Sequence, residues 1–127
     1  MTTVYLAHPY GGDPRNLQLA KEWRAWLETS YDCEVVAPWI EHCEVTPETT
    51  EEREAGLVQD EADCLRCDVA VLGGAMLTPG MQRETRGHPR KVYLTGLGLE
   101  RPPSIHFLDA LRTADLLMHG AGIERRR

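Results

Sequence analysis

Asp68-Val69-Ala70-Val71-Leu72-Gly73-Gly74 is the stretch whose reading decides the fold. Its apolar run is too short for a helix and is continuous rather than alternating. A run of that kind marks a central parallel strand covered on both faces. Downstream, Thr78-Pro79-Gly80 is a cap followed by proline and opens a helix that ends near Gly87-His88-Pro89. Lys91-Val92-Tyr93-Leu94-Thr95 is a further strand. Ile105 to Met118 reads as a last helix, with Ile105, Leu108, Leu111 and Leu116 as its apolar positions.

Upstream the same alternation holds. Val4-Tyr5-Leu6-Ala7 is an apolar strand stopped by His8-Pro9-Tyr10-Gly11-Gly12. Asp13 then caps a helix that has Pro14 at its first position and runs to about Thr29, with Leu19, Ala20, Trp23, Trp26 and Leu27 at helical spacing. Glu34-Val35-Val36-Ala37-Pro38 is the second strand. Thr46-Pro47 marks a possible helix start, and from about Thr50 to Arg66 the positions Val58, Ala62 and Leu65 form a core-facing stripe. Leu57, Asp60, Cys64 and Cys67 share a neighbouring line, because steps of three and four return to one helical face. Alternating strands and helices imply an α/β domain, a parallel sheet of four to five strands with helices on both faces.

The chain has 127 residues, enough for one domain with a full core, and no internal boundary divides it. Twenty acidic residues against 14 basic ones leave a formal charge of -6. That balance argues against nucleic acid as a partner, since such affinity comes mainly from Lys and Arg at phosphates. Arg125-Arg126-Arg127 reads as a solvated end, and residues 120–127 as a flexible tail. No apolar run approaches the roughly 18 residues of a membrane span, and no secretion signal is visible, so a cytoplasmic location is expected. In a reducing compartment Cys33, Cys43, Cys64 and Cys67 read as buried thiols. A zinc quartet of Cys64, Cys67, His42 and Cys43 is the competing reading; it lacks a second CxxC or HxxxH, so no metal is expected.

In a parallel sheet, ligands bind beyond the C-terminal strand ends, where strand order reverses. The loops 8–13, 39–43, 73–80 and 95–101 therefore form the working edge. Two of them are glycine-rich and enter helix N-termini, which favour anions. Glu84 lies early in the helix that starts at that edge, and Asp60 on the flank of the preceding one. Two carboxylates facing one cleft make an acid and nucleophile pair able to break a bond at an anomeric carbon.

Taken together, Tyr5 to Gly12, then Asp60 with Asp68 eight positions on, then Thr78-Pro79-Gly80-Met81-Gln82-Arg83-Glu84 resemble the nucleoside 2-deoxyribosyltransferase superfamily. The spacing is most similar to the 2'-deoxynucleoside 5'-phosphate N-hydrolases, and short phage-type relatives carry the same His-Pro-Tyr-Gly-Gly and Gly-Met-x-x-Glu forms. The resemblance runs from Val4 to about Thr95. It implies a single-domain flavodoxin-like or Rossmann-like three-layer sandwich that cleaves or transfers the N-glycosidic bond of a nucleoside or nucleotide. Glu84 is then the nucleophile, Tyr5 the residue that orients it and Asp60 the acid beside the leaving base. Substrate contacts fall on His8, Tyr10, Gly11, Gly12, Asp13, Arg15, Trp39, Gly74, Thr78, Gly80 and Met81. Thr78 occupies the place of a phosphate-contacting serine. Tyr10 stands where those hydrolases have a phosphate-binding arginine, which Arg15 would replace.

Hydrolase and transferase stay open, since the choice depends on how the pocket excludes water. The resemblance further implies a homodimer, no cofactor and a small-molecule nucleoside or nucleotide as partner. Two rivals share the fold. One is a nucleotide-binding or sensing module with inert carboxylates; the other is a flavin protein, suggested by Trp23, Trp26 and Trp39.

Overall fold

Val69–Leu72 (β3) is buried along its whole length between two parallel neighbours in a computed structural model that describes residues 1–45 and 49–127. On one side it pairs with Thr2–Ala7 (β1), in the register Val4 to Val69 and Ala7 to Leu72. On the other it pairs with Lys91–Tyr93 (β4), in the register Ala70 to Lys91. Cys33–Val36 (β2) completes an all-parallel sheet of order β2-β1-β3-β4. The two inner strands carry the unbroken apolar runs because helices cover both their faces. The domain is an α/β sandwich of the flavodoxin-like or Rossmann-like kind, with four strands.

Strand order reverses between β1 and β3, so the loops leaving those two strands open a crevice. Each leads into a helix with the cap its sequence specifies. Asp13 accepts the Arg15 N–H at 2.9 Å to start Pro14–Ser30 (α1). Thr78 accepts the Met81 N–H at 3.3 Å to start Pro79–Thr85 (α4). The inner face of α1 buries Leu17, Leu19, Ala20, Trp23 and Leu27, and the Trp23 indole donates to the Glu100 carbonyl at 2.9 Å.

Several expectations need correction. The 39–43 segment is helical, within Trp39–Val45 (α2), because the carbonyls of Ala37 and Pro38 accept the Ile40 and His42 N–H groups. The proposed start at Thr46-Pro47 lies outside the described residues. Thr49 caps Thr50–Leu65 (α3). On α3 the stripe of Val58 and Leu65 faces solvent, 57% and 52% exposed, and the neighbouring line with Leu57, Asp60 and Cys64 turns inward. Periodicity alone does not choose between two adjacent lines on one helix.

β4 stops at Tyr93, and Leu94–Leu97 is a 3-10 turn closed by Gly98 at φ 67°. The last helix is Leu108–Gly120 (α5) and excludes Ile105, since Ser104 forms a turn that accepts the Phe107 N–H on its carbonyl. Ile105, Leu108 and Leu116 are exposed; Ala114 and Met118 are the buried positions.

The segment 120–127 is docked rather than free. Ile123 is buried, Arg125 bridges to Tyr31, and Arg126 donates to the carbonyls of Glu28 and Cys33 at 2.6 and 3.2 Å. Arg125 also pairs with Asp115. Among the described residues no helix is long and apolar enough to cross a membrane.

Candidate active site

A cavity of about 740 Å³ lies over the crevice. Its walls are the first loop (His8, Tyr10, Gly11), the start of α2 (Trp39, His42, Cys43), the inner face of α3 and the first turns of α4. Three side chains distant in sequence meet at its floor. Tyr5, wholly buried on β1, donates its hydroxyl to Glu84 Oε2 at 3.1 Å. Asp60 lines the cavity from α3 and acts electrostatically on both Tyr5 and Glu84.

Burial pushes Glu84 up to about 8, with the neighbouring Asp60 charge adding to the rise; the Tyr5 hydroxyl and the positive charge of Arg53 oppose it. Glu84 is thus a proton-holding carboxyl at neutral pH. Burial, the two carboxylates and Cys64 all drive the Tyr5 phenol far above its ordinary range, so it remains a donor. Two carboxyl groups in one cleft, one of them held well above the ordinary carboxylate range, are the usual setting for acid and base roles.

Around this floor the walls are aromatic and polar. Tyr10 and Trp39 approach with ring centroids 6.4 Å apart at 44°, and the Trp39 indole is fixed by donation to the Leu6 carbonyl at 3.0 Å. His8 is 5% exposed, and its Nδ1 lies 2.7 Å from the Pro9 carbonyl. Since a carbonyl only accepts, Nδ1 carries the proton and Nε2 is an acceptor in the neutral ring, buried and without a hydrogen-bond partner among the described residues. Burial also pushes His8 down, which keeps that ring neutral.

Of the sequence-derived site residues, Glu84, Asp60, His8, Tyr10, Gly11, Trp39, Thr78, Gly80 and Met81 all line the cavity, and Tyr5 reaches it through Glu84. Four others stand apart from the cavity wall: Gly12, Asp13, Arg15 and Gly74. Asp13 serves as the α1 cap, and Arg15 pairs with Glu100, so the replacement phosphate contact is engaged elsewhere. Gly74 is structural. It adopts φ +95°, and a Cβ there would sit 2.9 Å from Pro9 and 3.1 Å from the His8 ring.

Sequence reading missed much of the α3 wall, including Arg53, Gly56, Leu57 and Asp63, whereas His42 and Cys43 line the cavity from the 39–43 segment expected at the working edge. Arg53 and Gly56 continue the Asp60 line by steps of three and four, so the signal was there once that line was known to face inward.

Asp63 is satisfied locally, accepting from Gln59 at 3.0 Å and pairing with Arg66. Cys64 and Cys67 are buried free thiols, and burial carries Cys64 up to about 12. Among the described residues no group of three or more His, Cys, Asp or Glu side chains is placed to hold a metal ion. No protein-family model, no curated protein and no solved structure matches the chain.

Proposed function

We propose that the chain is a nucleoside 2-deoxyribosyltransferase-like enzyme that breaks the N-glycosidic bond of a nucleoside or deoxynucleotide. The observation that carries this reading is the Tyr5–Glu84 hydrogen bond beside Asp60 at the floor of the cavity. Glu84 is held in one orientation through Oε2, which leaves Oε1 outside that hydrogen bond. In the first step Oε1 bonds to the anomeric carbon as the bond from that carbon to the base nitrogen breaks. The bonding pair departs with the base, which takes a proton from Asp60. Water, or a second base, then bonds to the anomeric carbon and gives up its proton to Asp60, as the bond from that carbon to Oε1 breaks and Glu84 leaves as a carboxylate.

Glu84 must be ionised to attack and Asp60 protonated to donate. Burial and the negative charge on Asp60 both favour the proton on Glu84. The reacting form is therefore the tautomer with that proton on Asp60. Tyr10 and Trp39 supply flat apolar surface suited to a base. Assembly as a homodimer belongs to the same proposal, and Leu108 and Leu116 stand exposed on α5; sedimentation at one chain per particle would remove it.

The test is incubation with a panel of nucleosides and their 5'-phosphates, with free base read by chromatography. Base release lost in Glu84→Gln supports the assignment, and release that Glu84→Gln leaves intact overturns it. A second reading, a nucleotide-binding module, is favoured by the protonated state of Glu84, since a neutral carboxyl is a poor nucleophile. Calorimetric binding of a nucleotide recovered intact after long incubation would select it.

A further inference from the structure

We propose that two arginine–glutamate pairs on the outer side of the cavity wall, Arg83 with Glu54 and Arg86 with Glu61, set the separation of the Asp60 and Glu84 carboxylates. This rests on the enzymatic reading above, and it makes the four side chains positioning residues for the two that react. Arg83 grips Glu54 with both terminal nitrogens, Nη1 to Oε2 at 2.8 Å and Nη2 to Oε1 at 2.5 Å. Arg86 grips Glu61 likewise, Nε to Oε2 at 2.8 Å and Nη2 to Oε1 at 3.3 Å. Two-point contacts of this kind fix orientation as well as distance.

The placement of these pairs gives them their role. Glu54 and Glu61 are seven residues apart on α3, hence on one face, and Arg83, on the last turn of α4, is three residues before Arg86 at its C-cap. Glu84 lies between the two arginines in the chain, and Asp60 immediately precedes Glu61. The pairs therefore bracket the reactive carboxyls from the solvent side.

Apolar burial, which ordinarily fixes the spacing of two helices, is scant on α3. Only Asp63 and Cys64 of that helix are buried, and Val58 and Leu65 face solvent. Polar forks take over that task. The cation that lowers Glu84 is Arg53 of α3, while Arg83 and Arg86 are engaged with Glu54 and Glu61. Their influence on Glu84 thus runs through the position of α3. That position governs both causes of the raised Glu84 value, exclusion of water and nearness of Asp60.

The groups facing Glu84 are Tyr5 from β1 and Asp60, Arg53 and Cys64 from α3, with His8 of the first loop and His42 of α2 lining the same cavity. None of these is altered by substitution at Arg83 or Arg86. Exposed pairs contribute little to global stability, so the variants are expected to stay folded.

The experiment titrates the Glu84 side-chain carboxyl by carbon-13 NMR in wild type, Arg83→Gln, Arg86→Gln and the double variant, alongside kcat and KM for base release. The double variant is expected to show the Glu84 midpoint moved down from about 8 toward 4.5. Its kcat falls by about two- to fivefold per pair lost, the range an exposed ion pair supports, with KM little changed. The charge-exchanged variant Glu54→Arg with Arg83→Glu restores the Arg83 share of both effects. A double variant that is folded by circular dichroism and whose Glu84 titration superimposes on wild type overturns the proposal. If the double variant unfolds, the two single variants and the exchanged pair decide it by the same midpoint. Wild type that releases no base from any nucleoside ends the enzymatic reading, while the titration still judges the clamp.

Discussion

Tyr5 Oη and Glu84 Oε2 lie 3.1 Å apart although 79 residues separate them in the chain. One oxygen of Glu84 is thereby committed to an acceptor role, and the hydrogen bond favours the charged carboxylate. Tyr5→Phe keeps the buried ring and deletes the donor. The Glu84 midpoint should rise further, and kcat for base release should fall by roughly 10- to 100-fold, the range of one hydrogen bond to a charged group. An unchanged midpoint on carbon-13 titration would show that the contact does not hold Glu84.

Glu84→Gln should be more stable than wild type under alkaline conditions. The folded chain holds the Glu84 proton up to about 8, whereas the unfolded chain releases it near 4.5. Over that interval the native state binds more protons than the unfolded state, so wild type loses stability as pH rises, by at most about 1.4 kcal/mol per pH unit. Gln does not titrate, and the two proteins should converge below the lower end of the interval. Urea unfolding of both proteins near each end measures the difference; a gap independent of pH would contradict the raised value.

Asp60→Asn and Arg53→Gln should move Glu84 in opposite directions. The first removes a negative neighbour and lowers its midpoint; the second removes a positive one and raises it. Asp60→Asn also removes the proton donor for the departing base. Its kcat/KM should therefore depend more steeply on base acidity across a nucleoside series than that of wild type. Equal slopes would exclude Asp60 as the acid.

Gly74→Ala should destabilise the domain by about 1–3 kcal/mol, the cost of a non-glycine residue held at an unfavourable backbone angle. The new methyl would also press against Pro9 and the His8 ring. Thermal unfolding measures the loss. An unshifted midpoint would mean that the first loop yields without cost.

Fold and site were legible to different degrees, for physical reasons visible in single residues. Asp13-Pro14 and Thr78-Pro79 mark helix starts by local chemistry, a side-chain acceptor followed by a fixed φ, and both act as caps in the structure. Val69–Leu72 announces its own burial by having no polar alternation. Val58 and Leu65 misled because the inward line of α3 is chosen by what it packs against, here a cavity lined with carboxylates and a short α4.

The C-terminal residues escaped because their partners, Ser30, Tyr31 and Cys33, are far back in the chain. Ile123, a lone apolar residue in a polar segment, was the only hint of docking there.

The pairing of β1 with β3 carries a consequence for how the protein is made. Val4 must find Val69 across about half the polypeptide before Tyr5 can meet Glu84, and closing so long a loop is slow because its entropy is lost before any contact compensates. The contact between Tyr5 and Glu84 therefore depends on the long-range pairing of β1 with β3. A chain in which β1 is still undocked exposes Glu84 to water, where it titrates as an ordinary acid, and the raised value arrives together with the completed sheet.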